Sequence, residues 1–245
     1  MRRSSLVVLA TLAAHALHIH ALEARSFVRR QGHCTKRQRR ALRELWPAYG
    51  VDVPWNRTID DVQALYGAPR ARAVLDIGFG HGDSLAGMAA ARPNDAFFGV
   101  EVHRPGVGSA LLRCEERELS NVRVARIDAF TLLRDHLAPR GRHFDECCVF
   151  FPDPWFKDKD EHRRLIRPAM LDLLAVHLKP GGRLHVATDV DGYARHVEAT
   201  LAADDRFVEA RRATDARPDW RPETQYERRG AARGHAITDL TFALR

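Results

Sequence analysis

Short apolar runs alternate with segments of helical periodicity along most of the chain, beginning near residue 73. The runs are rich in β-branched and aromatic residues, which favour strands. This alternation predicts an α/β fold with a doubly wound, mostly parallel sheet. The predicted strands are 73–77, 96–100, 122–127, 147–151, 183–187, 206–210 and 237–244. The predicted helices are 84–91, 106–119, 129–138, 162–178 and 191–203.

The chain is predicted to have three parts, two of which lie before residue 73. Residues 1–24 begin with a basic stretch and an apolar run and carry no acid before Glu23. Such a segment is typical of a signal peptide or an organellar transit segment, and a disordered tail or a mis-set start is the alternative. Residues 25–72 are expected to form a basic arm and a helix over 36–46 that Thr35 caps. Residues 73–245 are expected to form the main domain.

The composition indicates the kind of binding partner but does not determine the fold. The chain has 245 residues, 45% of them hydrophobic, and a formal net charge of +7, which is typical of a globular protein with a polyanionic partner. The segment 25–43 contains no acid, which suits either a nucleic-acid arm or a solvated face. The four cysteines show no zinc-ligand spacing, so we expect no metal site, no disulfide framework and a reducing compartment.

A glycine-rich turn follows the first predicted strand, in the sequence DIGFGHG at 76–82. Its glycines, Gly78, Gly80 and Gly82, allow left-handed backbone and close approach of a ligand. The spacing differs from the GxGxxG of the dinucleotide-binding fold, and Asp76 would be unfavourable beside a pyrophosphate. An acid there suits a cationic ligand such as the ammonium group of S-adenosylmethionine. The alternative is an ordinary tight turn between strand and helix.

Two further acids follow the second and third predicted strands. Glu101 stands where a carboxylate accepts both ribose hydroxyls of a nucleoside, a device that NAD enzymes share. Asp128 stands where it would meet an adenine amino group. Either acid could instead be a helix N-cap. Because Asp76, Glu101 and Asp128 follow successive parallel strands, they are expected at one edge of the sheet, and together they favour a nucleoside site.

The fourth predicted strand ends in the sequence FFPDPW at 150–155. The two prolines stiffen the turn and present Asp153 and Trp155 at the sheet edge. Motifs of this shape occur where a planar nitrogen-containing group is held for methylation, since the aromatic ring stacks and the carboxylate accepts hydrogen bonds. An ordinary rigid turn is the alternative.

These motifs and their order resemble those of the bacterial-type tRNA (guanine-N7)-methyltransferases, from about residue 25 to the C-terminus. The resemblance rests most specifically on the PDPW turn, on ATD at 187–189 and on TQYE at 224–227. It also includes RSFVRRQG at 25–32, DIGFGHG at 76–82, GVEVHRPGVG at 99–108, RRG at 228–230 and GH at 234–235. It implies a Rossmann-like class I methyltransferase fold with a seven-stranded sheet.

The resemblance implies transfer of a methyl group from S-adenosylmethionine to N7 of guanine 46 in the tRNA variable loop, without a metal. It assigns donor binding to Asp76, Gly78, Gly80, Gly82, Glu101, Asp128 and Asp153, with Asp153 also catalytic. It assigns substrate contacts to Lys157, Asp189, Thr224, Gln225, Tyr226 and Glu227. Arginines of the C-terminal part are expected on tRNA phosphates: Arg211, Arg212, Arg217, Arg221, Arg228, Arg229 and Arg233.

The chain departs from the family pattern at two places. Residues 159–164 correspond to a basic RNA-contacting loop, but Asp158, Asp160 and Glu161 interrupt it here, which predicts weaker attraction for phosphate. The first motif begins with Asp76 instead of the usual Glu. The alternatives are methylation of another planar nitrogen and an RNA-binding scaffold without catalysis. The family further implies action without an activating subunit, away from membranes, in the cytoplasm, or in a mitochondrion or plastid if 1–24 is a transit segment.

Overall fold

The computed structural model of the protein describes residues 27, 32–53, 58–139 and 141–245. The predicted targeting or disordered segment 1–24 lies outside the described residues, as does most of 25–31 in the predicted basic arm. Among the described residues, no helix combines the length and apolarity that crossing a bilayer would need.

A seven-stranded sheet with the order β3-β2-β1-β4-β5-β7-β6 forms the centre of the molecule. Strands β1 to β5 run parallel, and β7 pairs antiparallel with both β5 and β6. This topology confirms the doubly wound sheet that the alternating pattern predicts. The strands are β1 Ala73–Ile77, β2 Ala96–Val100, β3 Val122–Ala125, β4 Phe144–Phe150, β5 Leu178–Thr188, β6 Phe207–Thr214 and β7 Thr238–Leu244.

Helices cover both faces of this sheet. Every residue of β1 and β2 is buried, as expected for inner strands of a parallel sheet. Cys147 and Cys148 of β4 belong to the cores on opposite faces, and all four cysteines are free thiols. The helices are α1 Lys36–Glu44, α2 Trp46–Tyr49, α3 Asp83–Ala91, α4 Arg104–Glu116, α5 Ala129–Thr131, α6 Pro168–His177, α7 Asp191–Ala202 and α8 Gln225–Ala231.

Two of the predicted helices are shorter than their apolar periodicity indicates. The segment predicted as a helix over 129–138 is the single turn α5 followed by a π-helical turn over Leu132–His136. The helix predicted over 162–178 begins only at Pro168, because proline fits the first turn of a helix and not its interior. The residues before it form a separate 3-10 helix, Asp158–Arg163.

Helix α1 confirms the predicted N-terminal cap and packs on α4. Thr35 Oγ1 accepts the backbone N–H of Gln38, whose side chain accepts the N–H of Thr35, so both halves of a capping box are present. Gln38 Nε2 also donates to Ser109 Oγ of α4 at 2.9 Å, and Arg40 pairs with Glu115 at 2.5 Å. The N-terminal helix is therefore attached to the helix that follows the second strand.

Candidate active site

The carboxyl ends of the parallel strands bring the predicted site residues to one edge of the sheet. The glycine turn after β1 has positive φ at Gly78, Gly80 and Gly82, at 72°, 59° and 80°. A Cβ on Gly82 would lie 2.5 Å from the Cβ of Ala110, so α4 packs directly against the turn. Glycine is needed here because L side chains rarely adopt this backbone and because one position has no space.

Glu101 holds the glycine turn against the end of β2. Its Oε2 accepts the N–H of Gly80 at 2.9 Å, and its Oε1 accepts the N–H groups of Val102 and His103 at 2.6 and 2.8 Å. A carboxylate oxygen has two lone pairs, so this carboxylate keeps acceptor capacity for a ligand hydroxyl. The predicted donor-binding acid thus also shapes the loop, which the strand-end pattern does not indicate.

Asp76 is a buried acid whose surroundings suit the binding of a cation. Only 1% of its surface is exposed, and its Oδ2 has no hydrogen-bond partner in the described part of the protein. Burial, together with the nearby charge of Glu101, raises the pKa of Asp76 to about 8. Since a buried polar atom normally has a partner, this oxygen fits a ligand that supplies an N–H donor and a positive charge.

Asp128 serves both as the helix cap and as part of the cavity wall. Its Oδ1 accepts the N–H of Thr131 at 3.1 Å and the Thr131 hydroxyl at 3.3 Å, which makes it the N-cap of α5. The helix-cap alternative is therefore correct for this acid. Asp128 nevertheless lines the same cavity as Glu101.

A cavity of about 190 Å³ lies along this edge of the sheet. A smaller adjoining cavity reaches Asp76 and shares Gly78, Phe150, Phe151 and Tyr226 with the first. The larger cavity brings together Gly78, Gly80, Glu101, Asp128, Asp153 and Tyr226, and Phe27 of the N-terminal segment also lines it. Six of the sequence-predicted site residues therefore line one cavity.

The PDPW turn is held in an unusual backbone conformation. Phe151 and Trp155 have φ of 53° and 47°, values that bulky residues rarely adopt and that cluster at functional sites. Arg164 donates from Nε to the carbonyl of Pro154 at 3.0 Å and from Nη2 to the carbonyl of Trp155 at 3.4 Å. The Arg163 guanidinium lies 3.7 Å from the centre of the Trp155 ring. Sequence reasoning assigned both arginines to RNA and missed that they hold this turn.

Lys157 follows the fourth strand, and Asp189 follows the fifth. Lys157 is exposed at the N-cap of the 3-10 helix Asp158–Arg163. Asp189 follows β5, and its Oδ2 lies 3.2 Å from Nδ1 of His235. A Cβ on Gly230 of α8 would lie 2.7 Å from the same Oδ2, so α8 contacts this acid closely.

The TQYE motif lies at the start of helix α8. Only part of the motif lines the cavity next to the glycine turn. Thr224, Gln225 and Tyr226 line the cavity that reaches Asp76, and Tyr226 is half exposed. Glu227 instead completes a capping box with Thr224, and its Oε2 accepts from Arg221 Nη1 at 2.6 Å. The carboxylate of Glu227 thus has Arg221 as a partner inside the protein. A substrate contact by Glu227 stays a prediction.

Arg221 corrects one expectation about the arginine-rich C-terminal part. Its side chain is 0% exposed and binds Asp239 as well as Glu227, so it is not available to a tRNA phosphate. The composition of the segment does not distinguish this arginine from its exposed neighbours. Its partners in the interior are the acids Glu227 and Asp239, which are 12 residues apart in sequence.

Comparisons with known proteins agree with this geometry. A family model described as "Putative methyltransferase" matches residues 70–240. Among solved structures, TrmN from Thermus thermophilus superposes with a TM-score of 0.53 at 19% identity, over 74% of this chain and 46% of that one. The 16S rRNA methyltransferase KamB gives a TM-score of 0.53 at 17% identity, over 78% of this chain and 98% of that one. The fold and the site define a class I, Rossmann-like methyltransferase.

Curated relatives narrow this class to one family. A tRNA (guanine-N(7)-)-methyltransferase from Halorhodospira halophila (strain DSM 244 / SL1) is 50% identical over 225 residues, 91% of this chain and 96% of that protein. The protein of the same name from Burkholderia mallei (strain ATCC 23344) is 44% identical over 229 residues, 94% of this chain and 84% of that protein. The chain belongs to the tRNA (guanine-N(7)-)-methyltransferase family.

Proposed function

We propose that this protein transfers a methyl group from S-adenosylmethionine to N7 of the guanine at position 46 in the variable loop of tRNA. The observation that carries the proposal is the convergence of the glycine turn, Glu101, Asp128 and Asp153 on one cavity, in a chain of this family.

The residues around the cavity fit the proposed methyl donor. The buried Oδ2 of Asp76 has no hydrogen-bond partner among the described residues, which suits the α-ammonium group. Gly78 and Gly80 let the backbone approach the ligand, and Glu101 and Asp128 would accept from the ribose and adenine groups. When bound, S-adenosylmethionine supplies an electrophilic methyl group on a sulfonium sulfur. The chain's own residues bind it and orient it toward the PDPW turn.

The acceptor chemistry requires positioning more than proton transfer. N7 of neutral guanine carries a lone pair and no proton, so attack on the methyl group needs no general base. Holding the two reacting atoms in line contributes about 7–11 kcal/mol to lowering such a barrier. The methylated purine is cationic, and the carboxylates of Asp153 and Asp189 would stabilise the charge that develops. Asp153 would also accept hydrogen bonds from the guanine edge.

The tRNA must present a guanine that normally takes part in tertiary structure, and exposing it costs a few kcal/mol of unstacking. Exposed arginines would offset this cost through phosphate contacts. They lie on α1 and in the C-terminal part, where Arg37, Arg39, Arg211, Arg228, Arg229 and Arg233 are exposed. We propose further that the protein acts without an activating subunit.

The decisive experiment is incubation of the purified protein with radiolabelled S-adenosylmethionine and unmodified tRNA, followed by borohydride–aniline cleavage at 7-methylguanosine. Cleavage at the variable-loop guanine supports the proposal. In this assay Asp153→Ala should lose most turnover even at saturating donor, and Asp205→Ala, an exposed acid in the turn after α7, is the matched control. Donor binding without tRNA methylation would point to another acceptor. Absence of donor binding would favour a scaffold without catalysis.

A further inference from the structure

Trp155 already has a partner on its ring. The guanidinium carbon of Arg163 lies 3.7 Å from the ring centre, within the range of a strong cation–π contact. Arg163 is also fixed from the other side, since its Nη2 donates to the carbonyl of Phe27 at 3.2 Å. A nucleic-acid base that stacks on this face of Trp155 would have to displace Arg163. One face of the Trp155 ring is therefore occupied by a residue of the same loop.

The next residue, Phe156, has the opposite environment. Its side chain is 75% exposed, more than any other large hydrophobic residue in the part of the chain that the structure describes. The turn before it is fixed: Trp155 has a left-handed backbone, and Arg164 donates to the carbonyls of both Pro154 and Trp155. An aromatic ring is thus exposed to solvent three positions after Asp153, which lines the cavity.

Ion pairs within the loop neutralise part of the charge near Phe156, and Asp158 between the two lysines is exposed. Two of the three acids that interrupt the basic loop are paired within the loop, because Glu161 binds Arg164 at 2.7 Å and Asp160 lies 3.9 Å from Arg163. Lys157 and Lys159, on the other hand, are exposed. Phe156 directly precedes Lys157, and an exposed aromatic ring beside exposed lysines is a combination that binds single-stranded or unstacked nucleotides.

We propose that Phe156 stacks on the tRNA base next to the methylated guanine and fills the space that the guanine leaves when it enters the cavity. Phe156 stands three positions after Asp153, which lines the cavity, and three steps along the chain span at most about 10 Å. The ring is therefore within reach of the nucleotide adjacent to a guanine held at Asp153. Apolar side chains inserted between bases stabilise unstacked nucleic acid in this way. This inference rests on the proposed function.

Substitution of Phe156 tests the contact. Phe156→Ala should weaken tRNA binding and raise the KM for tRNA by about tenfold, the effect of losing one base–aromatic stack. The Kd for S-adenosylmethionine and the Tm should not change, because the ring is exposed. Phe156→Tyr and Phe156→Trp should retain binding within about twofold. Val208→Ala, an exposed apolar residue on the distant strand β6, is the matched control and should behave as the wild type.

A double-mutant cycle identifies the base. Unmodified tRNA is prepared with an abasic nucleotide on the 5′ or the 3′ side of the target guanine and is assayed with wild type and Phe156→Ala. If Phe156 stacks on one of these bases, its removal has no further effect on the tRNA that lacks this base. Additive losses with both tRNAs, or tRNA binding by Phe156→Ala within twofold of wild type, would overturn the inference. In either case methylation by the wild type would leave the proposed function intact.

Discussion

Arg221 and Asp239 form a two-point ion pair in the interior of the protein. Arg221 Nε lies 2.7 Å from Asp239 Oδ1 and Nη2 lies 2.9 Å from Oδ2, with both side chains buried. The third contact of this guanidinium, with Glu227, connects strand β7 to the start of α8. The guanidinium carbon also lies 5.6 Å from the ring of Phe150, which precedes the PDPW turn. One arginine therefore connects the elements that carry two motifs of the site.

Loss of this arginine should destabilise the protein strongly. Arg221→Met removes the arginine partner of the buried Asp239 and leaves Glu227 with Arg217 alone, and removing one side of a buried ion pair typically costs about 3–5 kcal/mol. Arg221→Lys keeps the charge but cannot make the fork of contacts, so it should restore only part of the free energy of unfolding. Urea denaturation measures both variants, with the exposed Arg229→Met as control. Equal stability of Arg221→Met and Arg229→Met would contradict the arrangement.

Binding of the methyl donor should release a proton from Asp76. Burial raises the pKa of this carboxyl to about 8 in the protein without donor, so it is mostly protonated at pH 7. A bound ammonium favours the charged carboxylate, which lowers its pKa. Donor affinity should therefore rise as pH increases from 6 to 8, by at most about tenfold per pH unit.

Calorimetric titration at pH 7 in two buffers of different ionisation enthalpy measures this proton directly. The wild type should show different apparent enthalpies in the two buffers. Asp76→Asn should remove most of this difference and weaken binding, which separates the Asp76 proton from one on the ligand. Identical enthalpies for the wild type in both buffers would show that no net proton is released.

Buried histidines should make the protein less stable in mild acid. His143 and His177 stack with ring centres 5.7 Å apart, and burial lowers the pKa of both. Burial also lowers the pKa of His185, to about 4. In the unfolded chain all three bind protons below about pH 6.5, so the unfolded state gains protons that the folded state excludes.

The free energy of unfolding should therefore fall as the pH drops from 6.5 to 5, by at most about 1.4 kcal/mol per pH unit for each histidine. Denaturation at a series of pH values measures the slope. His177→Gln should reduce this slope, whereas replacement of the exposed His162 by Gln should not. A free energy of unfolding that stays constant between pH 5 and 7 would rule the effect out.

Substitutions of two glycines distinguish the free-energy cost of backbone strain from the cost of a side chain that has no space. Gly181 and Gly82 both have positive φ, at 74° and 80°, but a Cβ has open space at Gly181 and meets Ala110 at Gly82. Gly181→Ala should cost about 1–2 kcal/mol of stability from strain alone and leave donor binding unchanged. Gly82→Ala should cost more and should also weaken donor binding, because α4 and the glycine turn must move apart. Similar donor affinity of the two variants would show that the turn tolerates this shift.

The sequence by itself determined the features that depend on neighbouring residues. Alternation of apolar and helical segments is a local pattern, and it predicted the seven strands and their mainly parallel arrangement. The Thr35 capping box and the three glycines of the turn are likewise local, because cap and turn geometry depend on a few consecutive residues. The order of the strand-end acids predicted Asp76, Glu101 and Asp128 at one edge of the sheet, where Glu101 and Asp128 line one cavity and Asp76 lines the adjoining one.

Only the tertiary structure decided which charged residues are buried and which partner each one has. Arg221 lies among exposed arginines in sequence, and Asp239, 18 residues away, is what holds it inside. Arg163 contacts both Trp155 and the carbonyl of Phe27, which is 136 residues away in sequence. Such pairings depend on how strands and loops meet in space, since the free energy of a buried charge is set by the atoms around it and not by its neighbours along the chain.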